Sequence, residues 1–201
     1  MAGLRARQKE QRREAIVGAA RVLFETHGFM ATTVEQIAVD AGVSTPTVFN
    51  YFGSKQEILL ALVQQADRQA IADARQQMPA FDDPVDALCH LERLIVQHEL
   101  AALPASIWRE VMALGFSASV PEVMVSLNEG LVAEIACLLQ DLQAQGKLGA
   151  SVDVAFVAYF LNDYCSMLFM RLVQQEVPDL AAHAGRVRQL TETVFRGLAP
   201  R

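Results

Sequence analysis

The stretch that decides the fold is VSTPTVFNYFGSKQEIL, from Val43 to Leu59. It contains two helix starts in quick succession. Ser44 can cap a helix whose first turn holds Pro46, where a missing N–H costs little. Ser54, followed three residues later by Glu57, has the pattern of a capping box at the start of a second helix. The stretch therefore predicts a short helix, a sharp break and a longer helix.

Four consecutive side chains of the short helix have mixed character. Phe49 and Phe52 are unfavourable in a solvated loop, whereas Asn50 and Tyr51 between them are unfavourable in a buried core. A helix with one face packed inward and the other pressed against a nucleic acid accommodates all four.

The residues before Val43 predict two more helices. Thr33 and Gln36 have capping-box spacing, and Gly42 can end the short helix that they begin. Upstream of Gly28, apolar residues recur at i, i+4, i+7 and i+8, which is typical of an amphipathic helix. Two short helices joined at a tight turn over residues 41–44 have the geometry of a helix-turn-helix. The apolar stripe of the first helix consists of Ile16, Ala20, Leu23 and Phe24.

The second short helix is the candidate DNA-reading element. We expect Val43, Val48 and Phe52 to hold it against the first two helices. Hydroxyl and amide groups on the opposite face suit base edges and phosphates in a major groove. Lys55, in the first turn of the next helix, adds a cation beside free backbone N–H groups. The outward residues are Thr45, Pro46, Thr47, Asn50 and Tyr51.

The rest of the chain also has helical periodicity, so we expect an all-α fold. Prolines and the segment QGKLGAS interrupt the pattern, and no convincing alternating strand occurs. From Val154 to Leu172 apolar residues cover nearly the whole circumference, which predicts a helix buried on all sides. We divide the chain into an N-terminal DNA-binding domain, residues 1–53, and a C-terminal domain for effector binding and dimerisation, residues 54–201.

Charge is distributed unevenly along the chain. Residues 1–55 carry seven Lys and Arg against five acids, whereas residues 56–201 carry ten against eighteen, and the sum is the net charge of −6. A basic contact region attached to an acidic body is the interpretation this favours. The basic arm RARQKEQRR, residues 5–13, either contacts DNA phosphates or is a mobile, solubilising tail.

The composition argues against several other classes of protein. Three cysteines far apart in sequence favour neither a disulfide framework nor a zinc site. No uncharged run approaches the ~20 residues needed to span a bilayer. No glycine-rich phosphate loop or catalytic grouping stands out. We therefore expect a cytoplasmic protein that is not an enzyme and needs no cofactor and no metal.

Residues from about Arg13 to about Leu62 resemble the DNA-binding domain of the TetR (tetracycline-repressor-like) family of bacterial regulators. The matching string is AARVLFETHGFMATTVEQIAVDAGVSTPTVFNYFGSKQEIL. The resemblance implies an all-helical homodimer that dimerises through its last two long helices and holds an inducer in its C-terminal body. It further implies phosphate contacts from Thr33, Tyr51 and Lys55, and base or backbone contacts from Thr45, Pro46, Thr47 and Asn50, with the cap residue Ser44 on the same surface.

The chain departs from the family pattern at two positions. The family commonly has Gly at the position of Pro46 and Tyr at that of Phe49. Without a hydroxyl group Phe49 cannot donate to a phosphate, so we expect it to pack inward. Pro46 places a rigid ring near the groove, where a thymine methyl group is one partner it could meet.

The effector pocket is harder to locate from sequence. Asn162 and Asp163 interrupt the apolar helix, and such a polar pair either lines the pocket, meets a partner across the dimer interface or is exposed to solvent. Large or polarisable side chains of the C-terminal body are the other candidates. The complete set of predicted pocket residues is Trp108, Phe116, Met124, Tyr159, Asn162 and Cys165.

The sequence thus favours a repressor that binds a palindromic operator as a homodimer and is released by a small-molecule effector. Two alternatives stay open at this point. One is a regulator of the same fold that activates transcription or senses a protein. The other is a helical binding protein or enzyme with a non-functional helix-turn-helix.

Overall fold

The structure is a computed structural model that describes residues 2–115 and 122–197. Within these ranges the chain folds into nine α-helices and no strands, which confirms the all-α prediction. The helices are α1 Ala2–His27, α2 Val34–Asp40, α3 Thr45–Tyr51, α4 Lys55–Gln77, α5 Pro84–Ala102, α6 Ala105–Gly115, α7 Glu122–Ala144, α8 Val154–Val173 and α9 Leu180–Arg196.

The predicted helix boundaries of the N-terminal region are confirmed. Thr33 and Gln36 form a complete capping box at the start of α2, with each side chain bonded to the other's backbone N–H. At its end, the N–H groups of Gly42 and Val43 return to carbonyls of α2, and Gly42 has φ +65°. This left-handed residue makes the tight reversal that turns the chain from α2 into α3.

The start of α4 differs in one detail from the predicted capping box. Ser54 caps the helix by accepting a bond from the N–H of Glu57. The carboxylate of Glu57 instead accepts from the N–H of Gly53, 2.9 Å away, and not from that of Ser54. The backbone between α3 and α4 is extended, so the N–H group that reaches the Glu57 carboxylate is that of Gly53, one residue before the Ser54 N–H expected from the capping-box pattern.

One apolar core runs through the DNA-binding helices and continues into the body. The stripe of α1 predicted from the sequence is buried, as are Val48 of α3 and Phe52 behind it. The same cluster includes apolar residues of α4, α6 and α8, among them Trp108 and Phe169. The boundary at residues 53 and 54 that we predicted remains a proposal, and the cluster extends across it.

The prediction that α8 is buried on all sides is wrong for the single chain. One face, with Ala158 and Leu161, is buried against α7 and α9, and Leu168 farther along the helix is buried as well. The opposite face is exposed, because no other helix of the described chain covers it. We call this face the α8 stripe, and it consists of Phe156, Tyr159, Phe160, Tyr164 and Met167.

None of the helices, over the residues the structure describes, is long and apolar enough to cross a membrane.

Candidate nucleic-acid interface and effector cavity

The surface of α3 has the character predicted for a DNA-reading helix. Pro46 and Asn50 are exposed, and Thr45 and Tyr51 are partly exposed while Val48 points into the core. Pro46 occupies the first turn, where no backbone N–H is required. The helix therefore presents an amide and a proline ring to solvent without a loss of core packing.

The hydroxyl groups around the start of α3 have partners within the protein. The hydroxyl groups of Ser44 and Thr47 lie 2.8 Å apart, and the N–H of Thr47 donates to Ser44 across 3.3 Å. Thr33, exposed at the start of α2, caps that helix in the same way. Each hydroxyl retains further hydrogen-bonding capacity, so capping and phosphate contact are compatible.

Phe49 is a correction to the sequence analysis, which placed it in the core. Its side chain is 49% exposed on α3. Val48 and Phe52 occupy the inward positions and Tyr51 packs against the same core, whereas Phe49 lies on the exposed side of the helix. Phe49 is therefore an apolar group on the candidate interface.

Lys55 is bonded to the turn between α1 and α2. Its Nζ donates to the carbonyl oxygens of Phe29 and Thr32, both at 2.7 Å, and lies 3.4 Å from that of Met30. The ammonium group also lies 4.5 Å from the centre of the Phe29 ring. These contacts tie the first turn of α4 to the entrance of α2. A direct phosphate contact of Lys55 stays a prediction, because an ammonium group with three donors is already engaged here.

The basic arm is part of a helix and not an irregular tail, since α1 begins at Ala2. Arg7, Lys9 and Arg12 are exposed, whereas Arg13 is half-buried with its guanidinium 5.2 Å from the centre of the Phe52 ring. Arg13 is thereby anchored beside the C-terminal end of α3. Whether the arm meets DNA stays a prediction.

The C-terminal body encloses a cavity of about 530 Å³, and all six helices from α4 to α9 contribute to its wall. Most of the wall is apolar. Trp108 and Phe169 pack edge to face with ring centres 5.4 Å apart, and the indole N–H donates to the carbonyl oxygen of Glu99. The volume lies in the range of small-molecule pockets, so the cavity is the candidate effector site.

Three of the predicted pocket residues, Trp108, Asn162 and Cys165, line this cavity. Tyr159 does not line it, and its side chain is 49% exposed on α8. Phe116 and the side chain of Met124 lie outside the described parts of the structure. Burial of Cys165 raises the pKa of its thiol, which disfavours the reactive thiolate form.

The acidic residues of the cavity wall were not predicted from the sequence. Asp67 of α4 and Glu99 of α5 are both buried, and Glu92 lies beside them with its Oε1 2.6 Å from Nε2 of the buried His183. A signal was present in the sequence, because Asp67 follows Val63 by four residues on the apolar stripe of α4.

Asp67 and Glu99, which we call the acid pair, bind protons more tightly than ordinary carboxyl groups. Burial raises the pKa of Asp67 to about 6, although a hydrogen bond with Glu99 and the charge of Arg68 act in the opposite direction. Burial raises the pKa of Glu99 well above its usual range, and the proximity of Asp67 raises it further. Two neighbouring carboxyl groups in an apolar wall therefore share a proton near neutral pH and carry one negative charge between them.

This pair predicts a pH dependence of stability. Folding raises both pKa values, so protonation of the pair stabilises the folded chain. This contribution to the free energy of unfolding is complete below pH ~4 and is lost as the pH rises through about 6. The free energy of unfolding of the wild type, relative to that of Asp67→Asn, should fall by about 1 kcal/mol between pH 5 and pH 8. Urea unfolding across that range measures it, with the exposed Glu129→Gln as control. A difference that is constant with pH contradicts the assignment.

Among the described residues, no group of three or more His, Cys, Asp or Glu side chains could hold a metal ion. The cysteines Cys89, Cys137 and Cys165 are free thiols.

Comparison with known proteins agrees with this geometry. Residues 16–62 match the family described as bacterial regulatory proteins, tetR family. The HTH-type transcriptional regulator HbdR of Aromatoleum sp. (strain CIB) is 37% identical over 81 residues, which are 40% of this chain and 35% of that protein. The regulator EthR of Mycolicibacterium smegmatis is 27% identical over 175 residues, covering 86% of this chain and 79% of EthR.

The fold is similar to that of FadR from Thermus thermophilus, described as a TetR-family transcriptional repressor in complex with lauroyl-CoA. The TM-score is 0.75 at 26% identity, over 94% of this chain and 96% of FadR. The matched segment 16–62 contains α2, α3 and the Lys55 contacts, and the likeness to FadR extends through the cavity-bearing body. The chain is a transcriptional regulator of the TetR family.

Proposed function

We propose that this regulator is a repressor that binds a palindromic operator as a homodimer in the cytoplasm and is released when a small molecule enters the cavity. The observation that carries the proposal is that α4 belongs to both sites. Lys55, its first residue, bonds the turn between α1 and α2, while Val63 and Asp67 of the same helix line the cavity.

The geometry of α4 supports coupling between the two sites. Lys55 and Asp67 are twelve residues apart, which corresponds to about 18 Å along a continuous helix. A ligand that shifts the part of the cavity wall formed by α4 therefore also shifts the N-terminal end of this helix, which contacts the DNA-binding helices. A coupling free energy of ~1–3 kcal/mol between effector and operator is typical of such an arrangement, and it acts in both directions.

On this proposal DNA is contacted by α3 and by the starts of the neighbouring helices. Two copies of α3 would enter successive major grooves about 34–36 Å apart. Phe49, which the structure exposes, adds an apolar group suited to a thymine methyl group or a sugar. The DNA surface that we propose consists of Thr33, Ser44, Thr45, Pro46, Thr47, Phe49, Asn50 and Tyr51, with Lys55 holding the turn behind it.

Operator binding is tested by incubating the full chain with a pool of DNA duplexes of random sequence and recovering those that it binds. We expect the enriched sequences to be palindromic, with half-sites about one helical turn apart, and to bind with steep salt dependence. Enrichment of no sequence, or of sequences without symmetry, contradicts the proposal. Release by an effector, and hence repression, is tested with a reporter gene placed behind the enriched site.

Asn50→Ala gives a sharper test of the reading surface. Asn50 is exposed on α3 and makes no core contact, so the variant should fold normally. Loss of a base-edge contact should weaken binding to the enriched duplex about fivefold to 100-fold and relax base preference at one position per half-site. Fluorescence anisotropy measures the affinity, and Gln145→Ala, an exposed substitution after α7, is the control. Unchanged base preference removes Asn50 from the reading surface.

A further inference from the structure

Two acids in the cavity wall, Asp67 and Glu99, lack an ion-pair partner among the residues that the structure describes. Asp67 and Glu99 are 4% and 5% exposed, and both line the cavity. Neither forms an ion pair with any described residue. A buried charge without an ion-pair partner is costly, so a cation that reaches the one negative charge of the pair is stabilised there.

Among the described residues, the charged groups around the pair supply only a partial counter-charge, because Arg68 lowers the pKa of Asp67 but forms no ion pair with it. Glu92 adds a further carboxylate, and its partner His183 lies 2.6 Å from it. Asp163 lines the cavity as another acid. Arg68, the residue after Asp67, lies on the exposed side of α4. Its guanidinium donates to Oε1 of Gln64 across 3.5 Å. The cavity wall therefore has net negative charge on its polar side.

A buried amide adds to this pattern. Asn162 is 3% exposed, lines the cavity and donates from Nδ2 to Oδ1 of Asn128 at 2.6 Å. Its own carbonyl oxygen accepts no hydrogen bond from any of the described residues. The polar part of the wall thus presents carboxyl and amide oxygens to the cavity, and a bound molecule can donate hydrogen bonds to them.

We propose that the effector is an amine: a protonated nitrogen on an apolar body, with its N–H groups against Asp67 and Glu99 and its body against Trp108 and Phe169. This inference rests on the proposed function, because it names the chemical class of molecule that occupies the effector cavity. A carboxylate or phosphate at the same place meets like charge, whereas an ammonium group gains charge-assisted hydrogen bonds.

The position of Asp67 also indicates how binding of an amine could change the affinity for DNA. Asp67 is on α4, the helix whose first residue holds the turn before α2. An ammonium group drawn to Asp67 therefore acts on the element that links the cavity to the DNA-binding helices. An apolar molecule of the same size fills the cavity without this contact.

The proposal is tested with three probes that share one chain and differ only in the head group: dodecylamine, dodecanol and dodecanoate, each below its aggregation concentration. Trp108, the only tryptophan in the chain, lines the cavity and reports binding by its fluorescence. We expect the amine to bind at least about tenfold more tightly than the alcohol, and the carboxylate to bind most weakly.

Variants then assign the preference to the acid pair. Asp67→Asn and Glu99→Gln should each weaken amine binding at least about tenfold and leave alcohol binding within about twofold. Glu129→Gln, which removes an exposed acid of α7, is the matched control and should change neither. Circular dichroism verifies that each variant is helical.

Any other order of the three probes, failure of the amine to bind, or an unchanged amine affinity in both acid variants overturns the proposal. The measurement contains no DNA. A regulator that selects no operator therefore contradicts the proposed function without affecting this result, and a failed amine preference leaves operator binding intact.

Discussion

A chain with glutamate in place of both Phe156 and Phe160 is expected to be a monomer that has lost at least about 100-fold in operator affinity. These two residues are 68% and 43% exposed in the single chain. They belong to the α8 stripe, which continues along the same face through Tyr164 and Met167. A run of four large apolar side chains that the described helices leave uncovered is unusual for a monomer and typical of an interface between subunits.

The size of the effect follows from symmetry. In a homodimer each substitution occurs twice, and burial of one large apolar side chain contributes ~1.5–3 kcal/mol. Four glutamates brought together at a twofold axis add repulsion and a desolvation cost. A monomer then engages one half-site alone and loses the gain in effective concentration that links the two recognition helices.

Light scattering measures the mass, and anisotropy with the enriched duplex measures the affinity. Helix content should not change, because both positions are exposed in the folded chain. The control is Gln140→Glu with Ala144→Glu, which adds the same charge at the same spacing on the exposed side of α7. A double variant of Phe156 and Phe160 that remains dimeric excludes the α8 stripe as the interface.

The local signals of the sequence predicted the DNA-binding region well. Caps at Thr33 and Ser44 and the left-handed Gly42 depend on neighbours within a few residues, so a linear pattern contains the information needed to place α2 and α3. The inward position of Val48 followed from the same periodicity. Phe49 was misplaced because its lack of a hydroxyl group was taken as a sign of burial, whereas it follows Val48 by one residue and so points about 100° away from the inward side of α3.

The effector cavity could be predicted only in part, because it is formed by residues distant in sequence. Periodicity placed Trp108 and Cys165 in the body, but no pattern indicates which buried residues border an empty volume. The position of Tyr159 outside the cavity wall was not predicted for a related reason. An apolar position is buried either by its own chain or by a second subunit, and composition is the same in both cases. Asp67 was overlooked because a single acid on an apolar stripe resembles a solvated helix face.

Lys55→Ala is expected to lower the free energy of unfolding by about 1–3 kcal/mol and to weaken operator binding through the loss of local order. The Nζ atom of Lys55 donates to the carbonyl oxygens of Phe29 and Thr32, both at 2.7 Å. Thr32 is itself buried, and its hydroxyl bonds back to the carbonyl oxygens of Leu23 and Gly28. Without the ammonium group the turn before α2 loses the donor that fixes it to α4.

Salt dependence separates this structural role from the phosphate contact suggested by the sequence. A lost phosphate contact reduces the slope of log K against log salt by about 1 and leaves the unfolding free energy unchanged. A lost turn contact lowers stability and leaves the slope unchanged, and this is the result we expect. Lys55→Met, which retains much of the apolar stem, should behave like Lys55→Ala, because the missing group is the donor. Arg12→Ala, which removes an exposed cation of α1, should have the stability of the wild type. A reduced slope at unchanged stability would instead place the Lys55 ammonium group on the DNA backbone, with the turn held by its own hydrogen bonds.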